Sequence, residues 1–318
     1  MKRRKRFFQR DILNHCYQRS ADNGVIFYTL RDYLVWFTIM CCAARQFDIQ
    51  VLAACPMPDH VHLSLVAKKA TRLSSFMSVY SQNFALEYNR AGRMKGSLFK
   101  HPFGSAPKYG AKKARTNLIY VGNNVVERQL ASKAEDSRWS FVAYAVSNHP
   151  FSESIDSRKA RRPLLRAIKE VQACRKQNKP LTYNQLQRIF NPLEAKEKQQ
   201  LTDYIISQYN AIDYPAALAF FDNSYENYLT ALHSTTGSEY DLNEVFVGKT
   251  DKPYAQMSRI LLEEKGYADI HEILSLSKQE KYDLFLLLRK RTSVMGTQIA
   301  RFLHLPLVKA DTSLDYAE

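Results

Sequence analysis

Two histidines, His60 and His62, flank an apolar Val61, and the text continues Leu63-Ser64-Leu65. In an extended strand alternate side chains share a face, so His60, His62 and Ser64 stand together and Val61, Leu63 and Leu65 point the other way. Two imidazoles at that spacing can share a metal ion. With oxygen ligands to complete the set, the ion is Mg²⁺ or Mn²⁺. On its own an HxH also describes two unrelated half-exposed histidines, so a second element has to support it. That element is residues 112–130. On a wheel of 3.6 residues per turn, Tyr120 shares a side with Lys113, Asn117, Asn124 and Arg128, and Leu118, Val121, Val125, Val126 and Leu130 fall opposite. A tyrosine on the polar, basic face of an amphipathic helix is available for chemistry. Asn124, one turn on, brings an amide oxygen to whatever the hydroxyl approaches. Gly122 in mid-helix costs about 1 kcal/mol relative to alanine and leaves room for a close approach.

The elements that must position these groups follow from periodicity. Residues 13–19 and 49–55 read as strands and 30–46 as a helix with Leu30, Tyr33, Leu34, Phe37 and Cys41 on one stripe. Pro56-Met57-Pro58-Asp59 reads as a turn because prolines are excluded from central strands. Residues 60–66 are the next strand. Residues 72–90 form a second helix with Leu73, Phe76, Met77, Tyr80, Phe84 and Tyr88 on one face. Residues 96–99 are a brief strand and 112–131 a third helix. The order β-α-β-β-α-β predicts an α+β, ferredoxin-like (RRM-like) antiparallel sheet with the helices on one face and the other face open to a ligand. An all-helical region follows, giving two domains, residues 1–150 and 151–318.

The sequence Met57-Pro58-Asp59-His60-Val61-His62-Leu63, then Gly96-Ser97-Leu98-Phe99-Lys100 with Phe103, Tyr120-Val121-Gly122-Asn123-Asn124 and Trp139-Ser140, resembles the REP-associated tyrosine transposases of the single-tyrosine HUH superfamily. The resemblance covers roughly residues 7–144. It implies a divalent metal, Mg²⁺ or Mn²⁺, on His60, His62 and Asn124, with Tyr120 as the nucleophile. Two features depart from the pattern: Asn124-Val125 stands where the family usually has Asn-Pro, and Glu127-Arg128-Gln129 replaces a run of small residues. The implied activity is cleavage and rejoining of single-stranded DNA at hairpin-forming ends through a 5′-phosphotyrosine. Ser64 reads as a bystander.

Charge agrees with a nucleic-acid partner. Of the net +15, residues 1–150 carry +14, with 23 basic and 9 acidic residues, whereas residues 201–318 hold 11 basic and 17 acidic. A field of that sign attracts a polyanion. The expected DNA contacts are Lys100, Lys108, Lys112, Lys113, Arg115, Asn117 and Arg128 around the site, with His101 beside them and Arg3, Arg4 and Lys5 in a basic N-terminal arm. Phe99, Phe103 and Tyr109 interleave with them, as in proteins that stack unpaired bases, though most of these aromatics are expected in the core. No apolar stretch is long enough to span a bilayer, and no secretory leader is recognisable. The five cysteines include no CxxC pair, which suits a reducing compartment. The expectation is a cytoplasmic, nucleoid-associated bacterial protein, with a homodimer possible but undetermined.

Residues 275–290 and 296–306 resemble the front of a helix-turn-helix, Gln298-Ile299-Ala300-Arg301-Phe302-Leu303 matching a first helix. The groove-entering helix would then fall in the short, acidic stretch 307–318. A helical bundle packed on the catalytic part fits equally well. Competing functions are a DNA-hairpin-binding regulator without catalysis and a relaxase or rolling-circle initiator. The latter usually needs a third metal histidine, and none lies near the pair in sequence. An RNA-binding ferredoxin-like domain would need neither the HxH nor the tyrosine.

Overall fold

The computed structural model describes residues 7–100, 103–234 and 250–306. Four strands form one antiparallel sheet in the order β2-β3-β1-β4: β1 (Asn14–Arg19), β2 (Gln50–Met57), β3 (His60–Val66) and β4 (Gly104–Pro107). Helices α1 (Leu30–Gln46) and α2 (Ala70–Ala91) supply the two crossovers, the ferredoxin-like arrangement expected from the strand and helix periods. Both helices lie on one face. Cys16, Ala54, Val61, Leu63 and Leu65 meet Trp36, Phe37, Phe76, Tyr80 and Phe84 there in a fully buried core.

Three local expectations are corrected. Pro56 and Met57 are part of β2 rather than of the turn, pairing with Val61 and His60. β2 is an edge strand, where a missing N–H removes no ladder bond, and only Pro58 and Asp59 make the turn. Residues 96–99 are not a strand; Phe99 touches the sheet through one bridge to Ser20, and the fourth strand lies further on, at β4. The sheet's second face is not open. Helix α3 (Gly110–Glu127) crosses it, packing on β2 and β3 and burying Ala53, Cys55 and Met57 against Ala114, Leu118 and Val121.

The remainder is helical: α4 (Arg162–Lys176), α5 (Tyr183–Phe190), α6 (Ala195–Tyr209), α7 (Tyr214–Leu218), α8 (Tyr225–Ser234), α9 (Lys252–Lys265), α10 (Lys278–Arg291) and α11 (Gly296–Phe302). Helix α4 packs on α5 and α6, both of which pack on α1, and α8 packs on α3. Gly122 permits that last contact. A Cβ at this position would lie 2.9 Å from Leu232 Cδ2 and 3.1 Å from the Tyr228 hydroxyl, so the close approach is made by α8.

Buried polar ties join the early and late parts of the chain. The fully buried Asp32 carboxylate accepts hydrogen bonds from the Tyr28 and Thr29 amides, from the Tyr183 hydroxyl and, at 2.7 Å, from His271. Burial alone would lower the His271 pKa, but the Asp32 charge and the hydrogen bonds to Asp269 and Asp32 raise it to about 10. Helix α11 is buried on the same side of the molecule, with Ile299, Phe302 and Leu303 fully enclosed and the Tyr28 hydroxyl donating to the Phe302 carbonyl at 2.6 Å. The helix-turn-helix expectation cannot be followed past α11, since its groove-entering helix lies outside the described residues. Among the described residues, no helix is long and apolar enough to cross a membrane.

Candidate active site

The register of β3 delivers the histidines. Its alternation turns Val61, Leu63 and Leu65 into the α1/α2 core and turns His60, His62 and Ser64 toward α3. Both rings are enclosed, His60 at 2% exposure and His62 at 0%, with centroids 4.7 Å apart and planes nearly perpendicular. Their Nδ1 atoms are both engaged. Asp59 Oδ1 lies 2.5 Å from His60 Nδ1, and His15 Nε2 lies 3.0 Å from His62 Nδ1. A carboxylate or ring partner at one imidazole nitrogen fixes tautomer and orientation, so Nε2 is the nitrogen each histidine would offer to a metal.

Helix α3 brings Tyr120 to this pair. The Tyr120 ring centroid is 5.4 Å from that of His62 and 5.7 Å from that of His15, edge-on to both. Asn124, one turn later, donates from Nδ2 to the Tyr120 carbonyl at 2.8 Å. Its Oδ1 is buried and has no hydrogen-bond partner among the described residues. A buried amide oxygen left unsatisfied costs about 1–3 kcal/mol, and it is the type of hard oxygen donor that Mg²⁺ or Mn²⁺ accepts beside imidazole. His60, His62 and Asn124 therefore fit a divalent metal. Among the described residues no group of three or more His, Cys, Asp or Glu could hold one.

From Asn117 onward the polar stripe of α3 is turned inward rather than to solvent, whereas Lys113 at its start is exposed. Asn117, Tyr120, Asn124 and Arg128 are all at 4% exposure or less. The Ser64 hydroxyl donates to Asn117 Oδ1 at 2.9 Å, tying β3 to α3 one turn before the tyrosine. Asn117 thus sits in the interior rather than on a DNA-facing surface. Arg128 is also differently placed from the sequence expectation. Its Nη2 and Nε reach Asp251 Oδ1 and Oδ2 at 2.6 and 3.1 Å, in a pair about 5% exposed on each side. A guanidinium committed in this way to a buried carboxylate is not presented to phosphate.

Lys100, Lys112, Lys113 and Arg115 are exposed, and Lys108 is buried. Lys112 and Arg115 line a groove between α3 and α8 with Thr116, Asn227 and Ser234, and the Arg115 guanidinium lies over the Phe221 ring. Of the interleaved aromatics, Phe99 and Phe103 are core and Tyr109 is 60% exposed. Arg3, Arg4, Lys5 and His101 lie outside the described residues.

Three neighbours of the site escaped sequence reasoning. His15 is 47 residues from His62, and only the β1–β3 register, with Tyr17 opposite His62, brings it near. Its available signal was the alternation His15, Tyr17, Arg19 along a predicted strand. Asp59 was visible next to His60 but carried no role. Arg301, whose Nη1 is 3.3 Å from Asp59 Oδ2, is 242 residues away. Burial works to raise the Asp59 carboxyl, and His60 together with Arg301 holds it below its usual value.

Residues 1–124 match the model of the IS200-like transposase family. A solved structure of a REP-associated tyrosine transposase bound to a REP hairpin is 16% identical, with a TM-score of 0.40, over 46% of this chain and 86% of that one. No curated protein matches the chain.

Proposed function

We propose that the N-terminal segment, which matches the IS200-like transposases over residues 1–124, cleaves and rejoins single-stranded DNA at hairpin-forming ends, with Tyr120 as the nucleophile and His60, His62 and Asn124 as ligands of Mg²⁺ or Mn²⁺. The observation that carries the proposal is the juxtaposition of Tyr120 with His62 and, one turn away, the Asn124 Oδ1 that has no hydrogen-bond partner among the described residues. Residues 1–150 would form the catalytic unit and residues 151–318 a helical accessory region.

A bound metal supplies positive charge at the non-bridging oxygens of the scissile phosphate. The protein's own residues do the remainder. The Tyr120 hydroxyl, a weak nucleophile while protonated, attacks phosphorus and loses its proton. The bond from phosphorus to the 3′ oxygen breaks and that oxygen takes up a proton. The products are a 5′-phosphotyrosine and a 3′ hydroxyl. One phosphoester replaces another, so a second 3′ hydroxyl can reverse the step and join strands without a nucleotide cofactor. Asp59 and His15 hold the imidazoles, and Ser64 with Asn117 holds the helix. The exposed Lys100, Lys112, Lys113 and Arg115 would track the strand's phosphates, with Tyr109 available to stack on a base. The protein would act where the DNA is, in the cytoplasm.

A second reading, a hairpin-binding regulator that keeps an unused site, is favoured by the burial of the reacting groups, with Tyr120 at 4% and His62 at 0% exposure. Incubation with an end-labelled hairpin-flanked oligonucleotide and Mn²⁺ separates the two. The transposase reading expects specific cleavage that stops with a chelator. Tight hairpin binding with no cleavage of any hairpin substrate supports the regulator.

A further inference from the structure

The turn that carries the first metal histidine is held by the far end of the chain. Residues Pro58 and Asp59 are fixed by their backbone: the Pro58 carbonyl accepts from the amides of Ile26 and Phe27 at 2.7 and 3.1 Å, and the Asp59 carbonyl accepts from Ser20 at 2.9 Å. The Asp59 carboxylate is fixed by both oxygens. Oδ1 meets His60 Nδ1 at 2.5 Å, and Oδ2 meets Arg301 Nη1 at 3.3 Å. Both partners of the second contact are largely withdrawn from water, at 14% and 15% side-chain exposure. Arg301 is itself held in place. Its carbonyl accepts from the Val25 amide at 3.2 Å, and the adjacent Phe302 carbonyl accepts from the Tyr28 hydroxyl. Helix α11 is therefore docked on the loop that supports the Pro58-Asp59 turn.

We infer that Arg301 is a positioning residue of the metal site, acting through Asp59 on His60. This rests on the metal-binding reading given above. A carboxylate with one oxygen uncommitted can rotate about χ2 and release the imidazole. With its second oxygen on a guanidinium, the carboxylate keeps the orientation in which it accepts from His60 Nδ1, and His60 keeps the tautomer that offers Nε2. Outer partners of this kind tune metal affinity by 10- to 100-fold when removed. The inference also gives the C-terminal region a role inside the site: it completes the support of a ligand that the family-matching segment carries.

The test is Mn²⁺ binding to the full chain, followed by calorimetry and by electron paramagnetic resonance, with thermal unfolding in parallel. Arg301→Ala and the bulkier neutral Arg301→Gln should each weaken Mn²⁺ binding about tenfold, and Arg301→Lys, which restores a cation, should recover part of the loss. The His60 ¹⁵N signals of Arg301→Gln should show mixed tautomers where the wild type shows one. Gln298→Ala removes a different bond of α11, to the Thr250 carbonyl, and should leave binding unchanged. Arg301→Gln binding within twofold of wild type while His60→Ala does not bind overturns the inference. So does an equal loss in Gln298→Ala, which would make the effect one of general packing. Equal Mn²⁺ binding by wild type and His60→Ala overturns the metal reading itself.

Discussion

His15 on β1 and His62 on β3 meet ring to ring, Nε2 to Nδ1 at 3.0 Å, with planes 17° apart. Of two such nitrogens one must donate and the other accept, so each ring sets the other's tautomer. His15→Ala removes that partner. Mn²⁺ affinity should fall 10- to 100-fold, while His15→Gln, which can still donate to or accept from His62, recovers part of it. Calorimetric titration reads the difference, and unchanged affinity in His15→Ala would show that His62 needs no such support.

The contact of α3 with α8 predicts a stability effect at Gly122. An added Cβ already meets Leu232 and Tyr228 at 2.9 and 3.1 Å, and both residues are buried. Gly122→Leu overfills this junction and should lower stability by about 1–3 kcal/mol, despite leucine's better helix propensity. Urea denaturation checks it. A variant as stable as wild type would mean that α8 is free to move off α3.

The buried His271 gives a pH signature. Its folded pKa is about 10 against an ordinary 6.5, because Asp32 and Asp269 outweigh burial. A raised folded pKa contributes stability that is complete below pH 6.5 and is lost as pH rises from there through 10. Asp269 acts oppositely. Burial opposes its charge, but His271 holds its carboxyl well below 3.8, so its contribution is present above that pH and fades in acid. Thermal midpoints of wild type should therefore fall more steeply between pH 7 and 10 than those of His271→Gln. Parallel curves would place no special charge on His271.

Some of this was legible from sequence and some was not, for identifiable reasons. Helix α1 and strand β3 fall at residues 30–46 and 60–66 as expected, because their apolar periods are long and unbroken. Strand β4 was invisible: Gly104-Ser105-Ala106-Pro107 has no alternation of apolar residues, and its pairing with β1 makes it a strand. The amphipathic character of α3 was readable, but not which side faces inward. Its polar stripe is buried because its partners are polar too, Ser64 opposite Asn117 and Asp251 opposite Arg128. Those partners, like His15 and Arg301, arrive from distant stretches, and a single sequence records no such pairing.

DNA binding should carry the charge of the exposed lysines on α3. Lys112→Ala and Lys113→Ala should each reduce the slope of log affinity against log salt by about 0.7–0.9 for a hairpin-flanked strand, with little change between sequences. Arg128→Lys should leave the slope alone, since Arg128 is committed to Asp251. An unchanged slope in both lysine variants would put the phosphate path elsewhere.

The proposed chemistry requires Tyr120 to form a covalent bond to DNA. The direct measurement is denaturing electrophoresis with mass spectrometry of the full chain after reaction with a labelled hairpin-flanked oligonucleotide and Mn²⁺. The expected result is a protein–DNA adduct on the Tyr120 peptide, absent in Tyr120→Phe and in His60→Ala although both variants still bind the hairpin. An adduct that persists in Tyr120→Phe would mean that Tyr120 is not the nucleophile.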